Sequence, residues 1–210
     1  MSDEIIRFNT EEALQPKPAP VVPQNIETFK LVSEKDPILK EVLPEFDFEN
    51  PPVNPNQFAS SLVETCKANK GFGLSANQCG FKHRVFVMGA EDNYVAFYNP
   101  KVIATRGEAH TAEGCLSFPL LALYVTRPAE IDVEYQDYNG EVRKSTFNGM
   151  SARCFLHELD HLNGILYTER CKPLALQQGM KKRSKYTNLI QKAEKNLKVL
   201  ENHGNYNRVR

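Results

Sequence analysis

Two rhythms run along the chain, one of strand period and one of helix period. Short apolar-rich runs of strand length recur at Arg84 to Met88, Tyr94 to Tyr98, Lys101 to Thr105, Leu121 to Thr126, Glu130 to Gln136 and Glu141 to Phe147. In the fifth run Ile131, Val133 and Tyr135 alternate with Asp132, Glu134 and Gln136, so one face is apolar and the other wet. Tyr138-Asn139-Gly140 supplies a hairpin turn into the sixth. Ahead of the strands, Asn54-Pro55 reads as a capped helix start, and Phe58, Leu62 and Cys66 mark one helical face through about Asn69. Gly71 and Gly73 end it. After Asn148-Gly149 the pattern turns helical through His161, with apolar residues nearly all round, which predicts a buried central helix closed by Gly164. A last helix is expected from about Leu174 or Gly179 to about Leu200. Strands linked by hairpins, then helix, predict an α+β fold: small antiparallel β-sheets packed around the buried helix, with a C-terminal helix.

Composition narrows this further. With 210 residues, 41% hydrophobic and 25% charged, the chain suits one domain with a sizeable core. Residues 1–30 carry Pro16, Pro18, Pro20 and Pro23 and read as an extended segment, 31–170 as the catalytic domain, and 171–210 as a basic helix and tail. No apolar run reaches membrane-span length, and the first residues do not form a secretory signal. Five scattered cysteines fit a reducing cytoplasm, with an organelle or an infected cell also compatible. The 26 basic and 26 acidic residues cancel, but from Lys172 onward ten Lys and Arg face two acids, a net +8. Such a tail is a candidate for docking on a polyanion, against the plainer reading of a solvated helix face.

Candidate chemistry centres on His157-Glu158-Leu159-Asp160-His161. Four helical steps of about 100° return His161 to nearly the face of His157, so both imidazoles can hold one metal ion. Glu158 sits at the edge of that face, within reach of a water on the ion, and the pattern predicts a metal-dependent hydrolase. Such sites usually take a third protein ligand. Tyr167 stands where one metalloprotease pattern places a third His, and no acid lies between Glu169 and Glu194. Upstream, Glu113-Gly114-Cys115-Leu116-Ser117 offers the thiol of Cys115. Farther upstream, Gly71-Phe72-Gly73-Leu74-Ser75-Ala76-Asn77-Gln78 combines small residues, suited to close approach of chain and substrate, with the amide of Gln78.

These three segments, in this order and spacing, resemble the motifs of peptide deformylases, and the resemblance runs from about Ser33 to Tyr167. It implies that Cys115, His157 and His161 hold the metal, that Glu158 handles protons, and that Gln78 and the backbone N–H of Leu116 receive the oxyanion. The implied ion is Fe²⁺, replaceable by Zn²⁺, Ni²⁺ or Co²⁺. The implied reaction removes formate from the N-terminal formyl-methionine of nascent peptides. Met150 and Cys154 share the stripe of the two histidines and are expected to line a slot for methionine. Phe72, Gly73 and Gly114 are expected to present backbone to the peptide. Asp160, or a nearby carbonyl, is expected to orient a ligand imidazole, with Arg127 as the buried partner of Asp160.

The chain departs from the usual pattern at Ser75, Leu156 and Arg153, the last at a position expected on the pocket edge. The other four cysteines read as small hydrophobes, and His83, His110 and His203 as uninvolved. Two rival functions are a metalloprotease or other amidase built on the same helix, and a catalytically silent ribosome- or RNA-binding protein. The tail makes the ribosome a candidate partner; no membrane is expected as one, and a monomer is the default.

Overall fold

The computed structural model of the chain describes residues 26–206, and side chains to residue 198. The proline-rich stretch at 16–23 lies outside them. Among the described residues, seven strands form two antiparallel sheets. The larger contains β1 (Gly73–Ser75), β2 (Val85–Ala90), β3 (Asn93–Arg106), β6 (Glu130–Gln136) and β7 (Val142–Asn148), in the order β1-β2-β3-β6-β7. The smaller is the hairpin of β4 (Ala109–Cys115) and β5 (Phe118–Arg127). Three helices complete the fold: α1 (Pro55–Ala68), α2 (Gly149–Leu162) and α3 (Pro173–Tyr206). This is the expected α+β architecture.

Two differences from the pattern stand out. The runs at 94–98 and 101–105 belong to one strand, because the register shifts between Tyr98 and Lys101 rather than breaking at Asn99-Pro100. The amide of Asn99, at φ 49°, closes that irregularity by donating to the Phe46 carbonyl and to Gln136 Oε1. Strand β4 carried no pattern at all, being largely exposed and polar.

α2 lies against the large sheet. Phe155 meets Phe86 and Phe97 edge-on, with ring centres 5.1 and 5.4 Å away, and Ile131, Val133 and Leu162 fill the same core. A second core forms where α1 packs Phe58 and Leu62 against Leu74, Val85 and Val87. The Asn54 side chain accepts from the Gln57 N–H at 3.0 Å, the expected N-cap.

The C-terminus of α2 is fixed by Gly164 at φ 68°. Its N–H donates to the His161 carbonyl, and the Ile165 N–H to that of Asp160, closing the helix as a Schellman turn. Leu43 N–H donates to the Leu162 carbonyl, which ties the helix end to the strap of residues 37–43. Among the described residues no helix is long and apolar enough to cross a membrane.

Candidate metal centre

The folding of β4 onto α2 brings three soft donors together. The ligand atoms of Cys115, His157 and His161 all lie within 4.8 Å of one another, and Cys115 Sγ is 3.2 Å from His161 Nε2. The histidines come from successive turns of the buried helix, with ring centres 5.1 Å apart. Cys115 ends β4, where a register shift between Glu113 and Cys115 interrupts the ladder with β5. In a regular strand, residues two apart face the same way. The irregularity lets Cys115 meet the imidazoles while Glu113 reaches behind one of them.

Glu113 Oε2 stands 3.1 Å from Nδ1 of His157, which leaves Nε2 of that ring for the donor cluster. The same carboxylate accepts from Arg127 Nε and Nη2 at 2.5 and 2.9 Å and from Arg153 Nη1 at 2.5 Å. Arg127 also pairs with Asp160 at 2.8 Å, as expected, and Asp160 pairs again with Arg170 at 2.5 Å. The residue behind His157 is therefore Glu113, not Asp160. Arg153 does line the cavity, as expected of the pocket edge, but it is 4% exposed and also donates to the carbonyls of Val125 and Ala109. The acid of the Glu-Gly-Cys run was the signal available for Glu113; nothing in the pattern pointed to its two arginine partners.

The two imidazoles of the cluster meet opposite fields. Burial disfavours protonation of His157, but hydrogen bonds with Cys115 and Glu113 outweigh it and lift its pKa to about 10. His161 is pushed well below its ordinary value, first by burial and then by the charge of His157. Burial raises Glu158 to about 7. Glu113 resists its own burial and is held at about 2 by His157 and Arg127.

Gln78 stands on a single helical turn, Ala76–Cys79. Its Oε1 accepts from Ser75 N–H and Oγ at 2.9 and 3.0 Å. The amide nitrogen is thereby turned toward Ser117 Oγ, 3.0 Å away, and Cys115 Sγ, 3.5 Å away. Ser75, which departs from the expected pattern, thus takes part in orienting this amide. The neighbouring Asn77 donates to the His161 carbonyl at 2.7 Å, a link between the motifs that the sequence did not announce.

A cavity of about 690 Å³ opens over the cluster. Cys115, His157, Glu158 and Gln78 lie in its wall, with Phe72, Gly73, Gly114, Leu116, Met150 and Cys154. His161 is 1% exposed and backs the site. Gly73 has a tighter reason to lack a side chain than peptide pairing alone: a Cβ there would stand 2.5 Å from Glu158 Oε1 and 2.8 Å from Cys154 Sγ. A Cβ on Gly114 would meet nothing of the chain. Tyr167, at the place of a third His, is buried and donates its hydroxyl to the Leu121 carbonyl. All five cysteines are free thiols, and burial pushes Cys66 and Cys79 up to about 12, as suits inert core residues. His110 pairs with Thr126 on the exposed hairpin.

Residues 28–177 match the family model of polypeptide deformylase. A peptide deformylase of Finegoldia magna is 39% identical over 140 residues, 65% of this chain and 85% of the relative. One from Thermotoga petrophila is 38% identical over 140 residues, 66% of this chain and 84% of the relative. Among solved structures, a peptide deformylase from Synechococcus elongatus in complex with actinonin superposes with a TM-score of 0.70 at 30% identity, covering 74% of this chain and 88% of that one. The enzyme from Thermus thermophilus gives 0.69 at 32% identity, covering 78% and 96%. With a Cys/His/His cluster on the expected helix and on the β4–β5 hairpin, and a family match over most of its length, the chain belongs to the polypeptide deformylases, metal-dependent hydrolases.

Proposed function

We propose that this deformylase removes the formyl group from the N-terminal formyl-methionine of new polypeptides, with Cys115, His157 and His161 holding one divalent ion. The observation that carries the reading is the meeting of the Cys115 sulfur with the two imidazoles beneath a cavity. The donors fit an ion. Among the described residues the group has three members, one sulfur and two nitrogens, and a three-ligand set leaves a position for solvent. The Glu113 carboxylate at 3.1 Å from Nδ1 of His157 leaves the other ring nitrogen of that imidazole free to ligate. Thiolate and imidazole suit Fe²⁺, with Zn²⁺, Ni²⁺ or Co²⁺ as substitutes, over Mg²⁺ or Ca²⁺.

When bound, such an ion lowers the pKa of water and polarises the formyl carbonyl. Glu158, buried in the cavity wall and raised toward neutrality by burial, takes the proton of the attacking water and returns it to the leaving amine. Gln78 Nε2, locked in direction by Ser75, and the N–H of Leu116 donate to the formyl oxygen as it gains charge. Met150, Cys154 and Phe72 supply apolar wall for the methionine side chain. β1 is an edge strand, so Gly73 offers the peptide a backbone to pair with, and Gly114 faces it from β4.

Formate release from formyl-Met-Ala-Ser tests this directly. The purified protein is expected to turn the peptide over, and Glu158→Gln to lose at least ~10²-fold. Unchanged turnover in that variant overturns the mechanism. Cleavage of unformylated peptides at a similar rate would favour the metalloprotease reading.

The same reading keeps residues 1–30 as an extension, 31–170 as the catalytic unit and 171–210 as a basic helix and tail. It places a monomer in the cytoplasm, docking on the ribosome through the +8 tail. Support for docking lies in the exposed lysines along α3, a footprint for a polyanion. Binding to ribosomes should weaken steeply with salt and fall when Lys185, Lys192, Lys195 and Lys198 are together changed to Gln, while peptide turnover holds; equal binding by that variant removes the idea.

A further inference from the structure

The long C-terminal helix does more than project basic charge, because one of its side chains reaches the substrate cavity. Leu176, Gly179, Arg183 and Tyr186 are spaced three and four apart and share one face of α3. Leu176 packs into the core cluster under β5. At Gly179 the helix passes so close to β5 that a Cβ would stand 2.7 Å from Leu123 Cδ2 and 3.1 Å from Leu121 Cδ1. One turn on, Arg183 donates from Nε to the Pro119 carbonyl at 2.9 Å and pairs with Glu34 at 2.5 Å. These three contacts fix the next turn, and there Tyr186 enters the wall of the cavity that holds Cys115 and His157.

Opposite in origin but in the same wall is Leu120, the residue after the carbonyl that Arg183 holds. It sits at φ 65°, a left-handed conformation that a branched side chain rarely adopts, and it is 51% exposed. Such strain is sustained only by its surroundings, here the β4–β5 hairpin and the Arg183 bond. The cavity is far larger than one methionine side chain requires, so the following residues of a peptide extend along it.

We propose that Tyr186 and Leu120 form the apolar wall that selects the peptide side chains beyond the formyl-methionine, favouring a bulky apolar or aromatic residue. The inference rests on the deformylase reading and adds a specificity element from α3. Two cations stand nearby: Lys182 Nζ lies 5.7 Å from the centre of the Tyr186 ring, and Lys70 lines the same cavity. Like charge therefore disfavours a basic residue on the substrate.

The test uses the full chain and its Tyr186→Ala, Tyr186→Phe and Leu120→Gly variants with formyl-Met-Ala-Ser, formyl-Met-Phe-Ser and formyl-Met-Ala-Phe. Tyr186→Ala should lose roughly five- to tenfold in kcat/KM, chiefly through KM, on at least one phenylalanine peptide, and stay within about twofold on formyl-Met-Ala-Ser. Tyr186→Phe should retain the preference, and Leu120→Gly, which relaxes the backbone, should lose it. Calorimetric binding of the product peptides Met-Phe-Ser, Met-Ala-Phe and Met-Ala-Ser should show the same discrimination without turnover. Equal effects on all peptides, or none, overturn the proposal. If the parent chain releases no formate from any peptide, the activity reading fails, and the product-binding comparison alone decides whether the wall discriminates.

Discussion

Glu113 and His157 meet across the gap between β4 and α2, carboxylate oxygen to Nδ1 at 3.1 Å. That contact fixes the ring so that its other nitrogen faces Cys115 and His161. The carboxylate is shared with two buried guanidiniums, Arg127 and Arg153. One side chain thus orients a proposed ligand and balances charge beneath the site.

Glu113→Ala should therefore fail in two measurable ways. Removing one partner of a buried ionic cluster leaves charge uncompensated and typically costs about 3–5 kcal/mol. Loss of the group behind a metal-bound imidazole typically costs about 10–100-fold in metal affinity. Urea unfolding of the metal-free protein reads the first, and competition with a chelator reads the second. Glu113→Gln keeps the shape and should lie between the two proteins in both; a Glu113→Ala protein that matched the parent in both would refute the role.

The same carboxylate sets an acid limit on stability. Its folded pKa of about 2 lies below the ordinary 4.5, because His157 and Arg127 favour the ionised form more than burial opposes it. A lowered folded value contributes stability that is fully present above the unfolded value and is lost as pH falls toward the folded one. Denaturant midpoints measured from pH 6 to pH 2 should show the parent's advantage over Glu113→Gln shrinking below about pH 4.5 and nearly gone at pH 2. A constant difference across that range would mean the contact is not ionic.

Much of this architecture was legible in the sequence. The repeat of His157 and His161 fixed the face of α2, and the apolar residues around it required burial. Gly164 closes the helix where the pattern placed a stop. The alternation of Ile131, Val133 and Tyr135 appears directly as the burial of β6. Strand β4 was invisible for a physical reason: it pairs only with β5 and exposes most of its side chains, so no apolar period marks it. The sequence marked Arg153 as a departure at the pocket edge but not as a partner of Glu113, and Tyr186 was silent. What each side chain does depends on residues 28 or more positions away in the chain, Val125 and Glu113 for the first and the other walls of the cavity for the second. Spacing along a helix says which face a residue occupies, not what that face meets.

Gly164 ties α2 to the strap of residues 37–43 by close approach as well as by its backbone angle. A Cβ there would lie 2.5 Å from the Lys40 carbonyl oxygen, with φ at 68°. Backbone atoms cannot give way as a side-chain tip does. Gly164→Ala should destabilise by at least ~1–3 kcal/mol, read as a lower urea midpoint at unchanged m-value. Because the turn follows His161 by three residues, metal retention at moderate urea should fall with it. A midpoint equal to the parent's would show that the strap yields freely.

Gly73 makes a sharper test of how narrowly Glu158 is placed. The glycine lies on the edge strand, and the space its Cβ would need holds Glu158 Oε1, 2.5 Å away, and Cys154 Sγ, 2.8 Å away. Both are side chains, so Gly73→Ala is expected to fold, at the cost of moving the carboxylate rather than the strand. Displacing a proton-transfer group by about 1 Å typically costs ~10²-fold in rate. The three atoms nearest that Cβ belong to Glu158 and Cys154 rather than to the metal donors Cys115, His157 and His161, so bound metal per chain should stay at the parent level while formate release falls. A variant that loses metal and activity together would place the damage at the cluster, and one that keeps full activity would show that Glu158 tolerates the shift.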